Sequence, residues 1–270
     1  MKTLNQNTSE VTPTKVSRAG RRPKGDGSGG PELSRDAVIR CAVELARRES
    51  IDEVSIARVA RELGVVTGLI HYYIGNRSDL LSTVINAALK DRLASLPPVV
   101  GDWRVDLRAL ARASLESYAR WPGLATYIAT QNRFRLFQRV QPGEIDYGLA
   151  YFDHVGRIFQ QGGFTKDQAA LAYHLLMLFV TSMAAESAQH QAPAEHKDFI
   201  LGYVSGFNSE TIPGASYLAG PFAELDSPTT FDAGMQLLLT GFEAWLAWCA
   251  PNSAPPPNGK YHRATPHQNL

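Results

Sequence analysis

The chain has 270 residues, 44% of them hydrophobic and 20% charged, with a formal net charge of +1. That composition excludes a disordered chain and a membrane-embedded one, and leaves room for one large domain or two smaller ones. Residues 1–80 carry 13 Lys and Arg against 10 Asp and Glu, while the remainder is mildly acidic, a tilt compatible with nucleic-acid binding at one end. Cys41 and Cys249 stand far apart, each in an apolar helical pattern. They read as buried free thiols suited to a reducing cytoplasm, with no disulfide framework, metal site or cofactor implied.

Residues 1–33 are polar, contain no apolar run that would serve as a signal peptide, and are expected to be a disordered arm. The arm carries the basic run Arg18, Arg21, Arg22 and Lys24. A Pro- and Asn-rich tail, 251–270, is expected to be disordered as well. Between these ends the pattern is all-α, with no run of alternating β-branched residues. Ser34 caps a first helix through Ala37, Val38, Cys41, Ala42 and Leu45, ending near Ser50. Ser55 caps a second, short helix through Ile56, Val59, Ala60 and Leu63, which Gly64 breaks. A third short helix runs over about 66–73 and stops at Gly75. Asn76 opens a fourth, with Asp79 placed for a capping box. A short helix, a Gly-containing turn of about four residues and a second short helix make a helix-turn-helix, whose second helix fits the DNA major groove. Ile56, Val59, Leu63, Val65 and Ile70 would fix the crossing, and Ala60 is small where the helices meet. Any helical hairpin shares part of this pattern.

Downstream, helices are expected from the fourth helix to Leu96 before Pro97-Pro98, over 104–120, through about Asn132, from beyond Pro142-Gly143 to Gln160, from Thr165 to about Gln189, and over 229–249. Residues 192–227, rich in Gly, Pro and Ser, read as irregular with one short helix at 195–205. The apolar stretch Ala169–Ala185 reaches the lower limit of a membrane span, but Tyr173, His174, Thr181 and Ser182 interrupt it, so it reads as a buried core helix and no membrane association is expected.

The stretch Ser34–Leu81 resembles the DNA-binding domain of the TetR family of transcriptional regulators. The matching residues are Ser55-Ile-Ala-Arg-Val-Ala-Arg-Glu-Leu-Gly-Val65, Gly68-Leu-Ile-His71-Tyr72-Tyr73 and Asn76-Arg77-Ser-Asp-Leu80-Leu81. Four positions depart from the family pattern: His71 for the usual Tyr, Ile74 for Phe, Arg77 for Lys, and Val66 for the Ser that commonly caps the recognition helix. The resemblance implies a helix-turn-helix domain over 34–82 and a helical ligand-binding and dimerisation domain over 83–250. It places Val66, Thr67, Gly68, His71 and Tyr72 towards the groove, with His71 and Arg77 as phosphate donors. Ser55 is near phosphate in this reading, and Arg58 serves either as a second phosphate contact or in a surface salt bridge. The arm with Arg18, Arg21, Arg22 and Lys24 resembles the basic extensions of some members, and otherwise reads as a solvated tail.

The family also implies a homodimer built from the two longest helices. Leu176, Phe179, Val180 and Met183 on one, with Leu238, Phe242 and Trp245 on the other, are the expected interface, unless both stripes bury within one chain. A small-molecule effector, hydrophobic or aromatic with at most one polar or anionic group, is expected among Trp103, Tyr118, Phe134, Phe137, Tyr151, Tyr173 and Met177, with Gln131, His154 and His174 as polar members. The same aromatics also suit plain core. The function so read is a repressor released from a palindromic operator by that effector. The alternatives are a ligand-independent regulator controlled by a protein partner, and a helical enzyme, for which no phosphate loop, nucleophile elbow or metal-binding motif is present in the sequence.

Overall fold

The computed structural model describes residues 33–130 and 137–248. Every regular element among the described residues is helical. Short polar residues set most of the helix starts. Ser34 accepts from the amide of Ala37 at 3.2 Å to open α1 (Arg35–Arg48), and Ser55 accepts from Arg58 N at 3.2 Å to open α2 (Ile56–Glu62). A 3₁₀ turn at Ile51–Glu53 lies between them. Gly64, at φ +66°, and Gly75, at φ +94°, bound α3 (Thr67–Ile74) with backbone conformations that a Cβ would strain. Asn76 opens α4 (Arg77–Ala94) with the predicted capping box: its Oδ1 accepts from Ser78 N and Asp79 N, and Asp79 accepts in return from Asn76 N.

Asp102 and Asp146 cap α5 (Trp103–Ala119) and α7 (Tyr147–Gln161), on either side of the short α6 (Leu124–Thr130). Thr165 and Gln168 form a second capping box on α8 (Lys166–Ala188). The stretch 192–227 holds α9 (Lys197–Ser205) and also α10 (Pro213–Phe222), where the sequence reading expected only one helix. Pro213 sits in the first turn, where its missing N–H costs nothing, while Pro221 lies inside the helix, one residue before its end. Asp226, accepting from Thr229 N at 2.8 Å, precedes α11 (Ser227–Trp248).

Helix α1 packs on α2, α3 and α4 around Val38, Leu45, Val59, Ile70 and Leu80, all fully buried. Helix α4 then continues onto α5 and α7. α8 packs on α5, α6, α7 and α11, burying Ala172, Leu176 and Val180. The stretch Lys166–Ser205, which begins with α8, is long and apolar enough by length and composition to span a bilayer, yet α8 is the helix on which α5, α6, α7 and α11 all pack. An aromatic core ties its layers: Trp103 and Phe159 meet Phe164 edge-on at 5.1 and 5.0 Å, and Phe242 of α11 packs on Phe159 and Trp245. The first three helices are joined to the rest through Ile51 N, which donates to Pro122 O at 3.2 Å, through Arg47, which pairs with Asp91 and lies over the Trp121 ring, and through the Arg35–Glu144 ion pair.

Candidate nucleic-acid interface and effector site

The α2–α3 crossing is built from apolar side chains. Val59, Ala60 and Ile70 are buried, Leu63 and Val65 are half-buried, and Val65 N donates to Ala60 O at 2.9 Å to close the turn. What remains outward on α3 is Val66, Thr67, Gly68, His71 and Tyr72, all exposed, with Tyr72 80% accessible. Tyr73 turns the other way, half-buried, with its ring edge-on to Tyr72 at 5.2 Å. Val66 caps α3 without any side-chain hydrogen bond.

His71 Nδ1 lies 2.6 Å from Gly75 O. The carbonyl can only accept, so Nδ1 carries the proton, and Nε2 donates to an outside group only when the ring is doubly protonated. Arg77 is exposed, its Nη2 donating to Asp52 O at 3.4 Å. Ser55 spends its acceptor on the cap of α2. Arg58 departs from the phosphate-contact reading. Its side chain is only 18% exposed and donates to Glu62 at 2.5 Å and Glu49 at 2.7 Å, in a network that Arg48 completes. Hydrogen bonds from these two arginines hold both carboxyls below their ordinary range, so Arg58 locks α2 to the end of α1. Arg18, Arg21, Arg22 and Lys24 lie outside the described residues, as do Gln131 and Phe134.

The effector candidates separate into groups. Tyr118, Tyr151, Tyr173 and Met177 come together between α4, α5, α7 and α8. The Tyr151 hydroxyl hydrogen-bonds Ser114 Oγ at 2.8 Å and lies 3.8 Å from Met177 Sδ, while the Tyr118 hydroxyl meets Thr181 Oγ1 at 3.3 Å. Phe137 reaches this group through Phe152, which is edge-on to both Phe137 and Tyr173. Trp103 belongs instead to the aromatic core with Phe164, and His174 is exposed on the outer face of α8. His154 lines a separate narrow crevice with Pro97, Pro98, Asp106 and Leu110. An open groove of about 440 Å³ between α5 and α11 is lined by Arg104, Arg108 and Arg112, which pair with Glu243, Gln236 and Asp232, so it is a salt-bridged seam and not the aromatic site.

The residue that sequence reasoning missed at this cluster is Arg92. It stands at the end of the α4 stripe Leu81, Ile85, Ala88, where the helical period calls for an apolar side chain, and that mismatch was its signal. Arg92 is 2% exposed, with its guanidinium 4.1 Å from the Tyr118 ring and 5.6 Å from the Tyr151 ring.

The expected dimer stripes need correction. Leu176, Val180, Met183 and Phe242 are buried within the chain, and Phe179 stacks on Phe231 and abuts Gly234 in the α8–α11 crossing. Both helices are apolar on more than one side, and their better-packed side faces inward. Leu238 and Trp245 are half-buried. The apolar groups left outward are Leu171 and Leu178 on α8 and Leu237 on α11.

A helix-turn-helix with an outward-facing second helix, carried on a larger helical body that encloses a polar-aromatic cluster, defines a helical transcriptional regulator. Residues 97–246 match the family described as Tetracyclin repressor-like, C-terminal domain, and the chain belongs to this TetR family. It is 28% identical over 249 residues to the HTH-type transcriptional repressor DrrR1 of Streptomyces coeruleorubidus, covering 87% of this chain and 86% of that one. Among solved structures it is similar to apo ActR of Streptomyces coelicolor, with a TM-score of 0.70 and 24% identity over 83% of this chain and all of that one. It is also similar to ActR in complex with actinorhodin, with a TM-score of 0.69 and 26% identity over 82% of this chain and all of that one. The chain is thus a TetR-type regulator.

Proposed function

We propose that the protein is a cytoplasmic, non-enzymatic repressor that binds a two-fold operator as a homodimer and leaves it when an aromatic effector occupies the cluster between α4 and α8. The observation that carries this reading is the course of α4. Its first turn is capped by Asn76 directly after the recognition helix, and its last turn holds Arg92 against Tyr118 and Tyr151. Asn76 and Arg92 are about 24 Å apart at 1.5 Å per residue. A rigid helix fixed at both ends transmits a shift at one to the other, so effector and operator weaken each other by one coupling energy. The ActR complex with actinorhodin supports a small molecule as the input.

On this reading the domain boundary falls within α4, near residue 82. Val66, Thr67, Gly68, His71 and Tyr72 face the groove, Arg77 and the basic arm follow phosphates, and α8 and α11 meet their copies through Leu171, Leu178 and Leu237. A second reading, control by a protein partner without a ligand, draws on the exposed apolar side chains Phe199 and Tyr203 of α9, Phe207 beyond it, and Tyr217, Leu218 and Phe222 of α10. The deciding experiment is fluorescence anisotropy of the full chain on DNA upstream of its own gene and on random duplex, at two salt concentrations. Selective binding that weakens on addition of small aromatic compounds is expected. Equal affinity for both duplexes refutes the operator assignment, and selective binding indifferent to every compound favours the partner reading.

A further inference from the structure

Arg92 is a charge in the wrong place for a structural residue. Its side chain is 2% exposed, Nε has no hydrogen-bond partner, and among the described residues no carboxylate lies within 4.0 Å of it. A cation withdrawn from water this far is strongly unfavourable without a compensating anion. Tyr118 and Tyr151 turn ring faces towards it, which offsets part of the desolvation but supplies no counter-charge. Burial pushes the Tyr151 and Tyr173 hydroxyls up, so both stay neutral at physiological pH and act as O–H donors. Guanidinium and neutral hydroxyls thus converge in one place: the guanidinium donates to the Tyr118 and Tyr151 hydroxyls and Tyr151 in turn donates to Ser114 Oγ, but among the described residues none of these partners is an anion. From that place Tyr173, half-buried, leads by edge-on ring contacts of 4.9 and 5.9 Å through Phe152 to Phe137, which are exposed.

We propose that Arg92 anchors the carboxylate of an aromatic effector whose ring system enters between α7 and α8 and displaces Tyr173 and Phe152. The inference rests on the effector-released regulator reading above and names the chemical class of effector. A planar carboxylate matches the guanidinium fork and has lone pairs to spare for the surrounding hydroxyls. The flat body takes over the ring contacts that Phe152 and Tyr173 now make with each other. Because Arg92 belongs to α4, the ion pair forms on the helix that also carries the cap beside the recognition element.

The test uses the full chain with benzoate, 2-naphthoate and anthraquinone-2-carboxylate, each set against its primary amide, and follows thermal shift and tryptophan fluorescence. At least one carboxylate is expected to bind about tenfold or more tightly than its amide, as one charge-assisted pair requires. Arg92→Met is expected to bind acid and amide alike, and to melt no lower than the unaltered chain when no probe is present, because it removes an uncompensated buried charge. Arg92→Lys keeps the preference at reduced affinity, and serves with Arg92→Gln if the methionine variant does not fold. The proposal is overturned if acid and amide bind alike, if no member of the series binds, or if Arg92→Met retains the preference. Operator binding measured in parallel separates the two readings. Release of DNA by the amides as readily as by the acids sinks the anion site and leaves the regulator intact. A carboxylate preference in a chain that binds no operator keeps the anion site and removes the regulator.

Discussion

Two glycines in long helices of the same half of the molecule are expected to respond in opposite directions to one added methyl group. Gly234 lies on α11 under the ring of Phe179. A Cβ built there comes within 2.5 Å of Cε2 and closer still to Cζ. Carbon atoms pack at about 3.5–4.0 Å, so the ring or the helix must withdraw by about 1 Å. Overpacking in a filled core costs about 1–3 kcal/mol, and contact with two ring atoms places this case near the upper end. The higher helix propensity of alanine returns about 1 kcal/mol. The net loss for Gly234→Ala is therefore about 2 kcal/mol, a fall in melting temperature of about 4–8 °C for a chain of this size. Gly156, exposed on α7, has nothing within 4 Å of its built Cβ. Gly156→Ala has only the propensity gain, a rise of about 2–4 °C. Thermal unfolding at one fixed protein concentration reads both, since a dimer's melting temperature depends on concentration. In a Phe179→Val background the ring is gone, and Gly234→Ala is expected to become neutral or stabilising. A Gly234→Ala protein that melts as high as Gly156→Ala would refute the packing argument at the α8–α11 crossing.

Further outcomes are expected. Asn76→Ala leaves the amides of Ser78 and Asp79 without their acceptor and is expected to cost about 1 kcal/mol, whereas Asn76→Asp retains the cap; equal melting of the two variants would show that the box contributes nothing. Tyr72→Ala changes stability by less than about 0.5 kcal/mol, because the ring packs on little. On the proposed DNA reading it lowers affinity for the selected operator and not for random duplex, and an unaltered ratio in anisotropy would take Tyr72 off the interface. Leu237→Glu, at an exposed apolar position of α11, is expected to shift the protein from dimer to monomer in sedimentation velocity; an unchanged dimer would place the interface elsewhere. Burial, reinforced by Arg157 and opposed by Asp106 and Asp153, holds His154 below its ordinary value of 6.5. The folded state therefore favours the neutral ring, and its contribution is complete above about pH 6.5 and is lost as pH falls through the lowered folded value. His154→Gln is expected to flatten that acid-side loss in a pH series of melting curves, and an identical slope would count against it.

What the sequence determined by itself was local. Ser34, Ser55, Asn76, Asp79 and Thr165 fix helix starts because each cap is a hydrogen bond between residues two or three apart, and Gly64 and Gly75 end helices because no side chain tolerates their φ without strain. The helix-turn-helix was legible for the same reason: its turn and both helices lie within twenty residues, and its buried side chains follow the 3.6 period. The second helix in 192–227 was not, because Gly and Pro lower propensity everywhere while Pro213 is harmless only at the position where the fold puts it. The tertiary structure alone decided which apolar face turns inward. The period marks that α8 and α11 are apolar on several sides, but only packing on α5, α6 and α7 buries Leu176 and Phe242 and leaves Leu178 and Leu237 outside. It also decided that Arg58 is held by Glu49 and Glu62, and that Trp103 and His154 stand apart from Tyr151. The polar-aromatic cluster pairs residues 37 and 63 positions apart, Ser114 with Tyr151 and Tyr118 with Thr181. No local rule links such positions. Arg92 gains its meaning only when three other helices close around it, since the same side chain on an open helix would be an ordinary solvated charge.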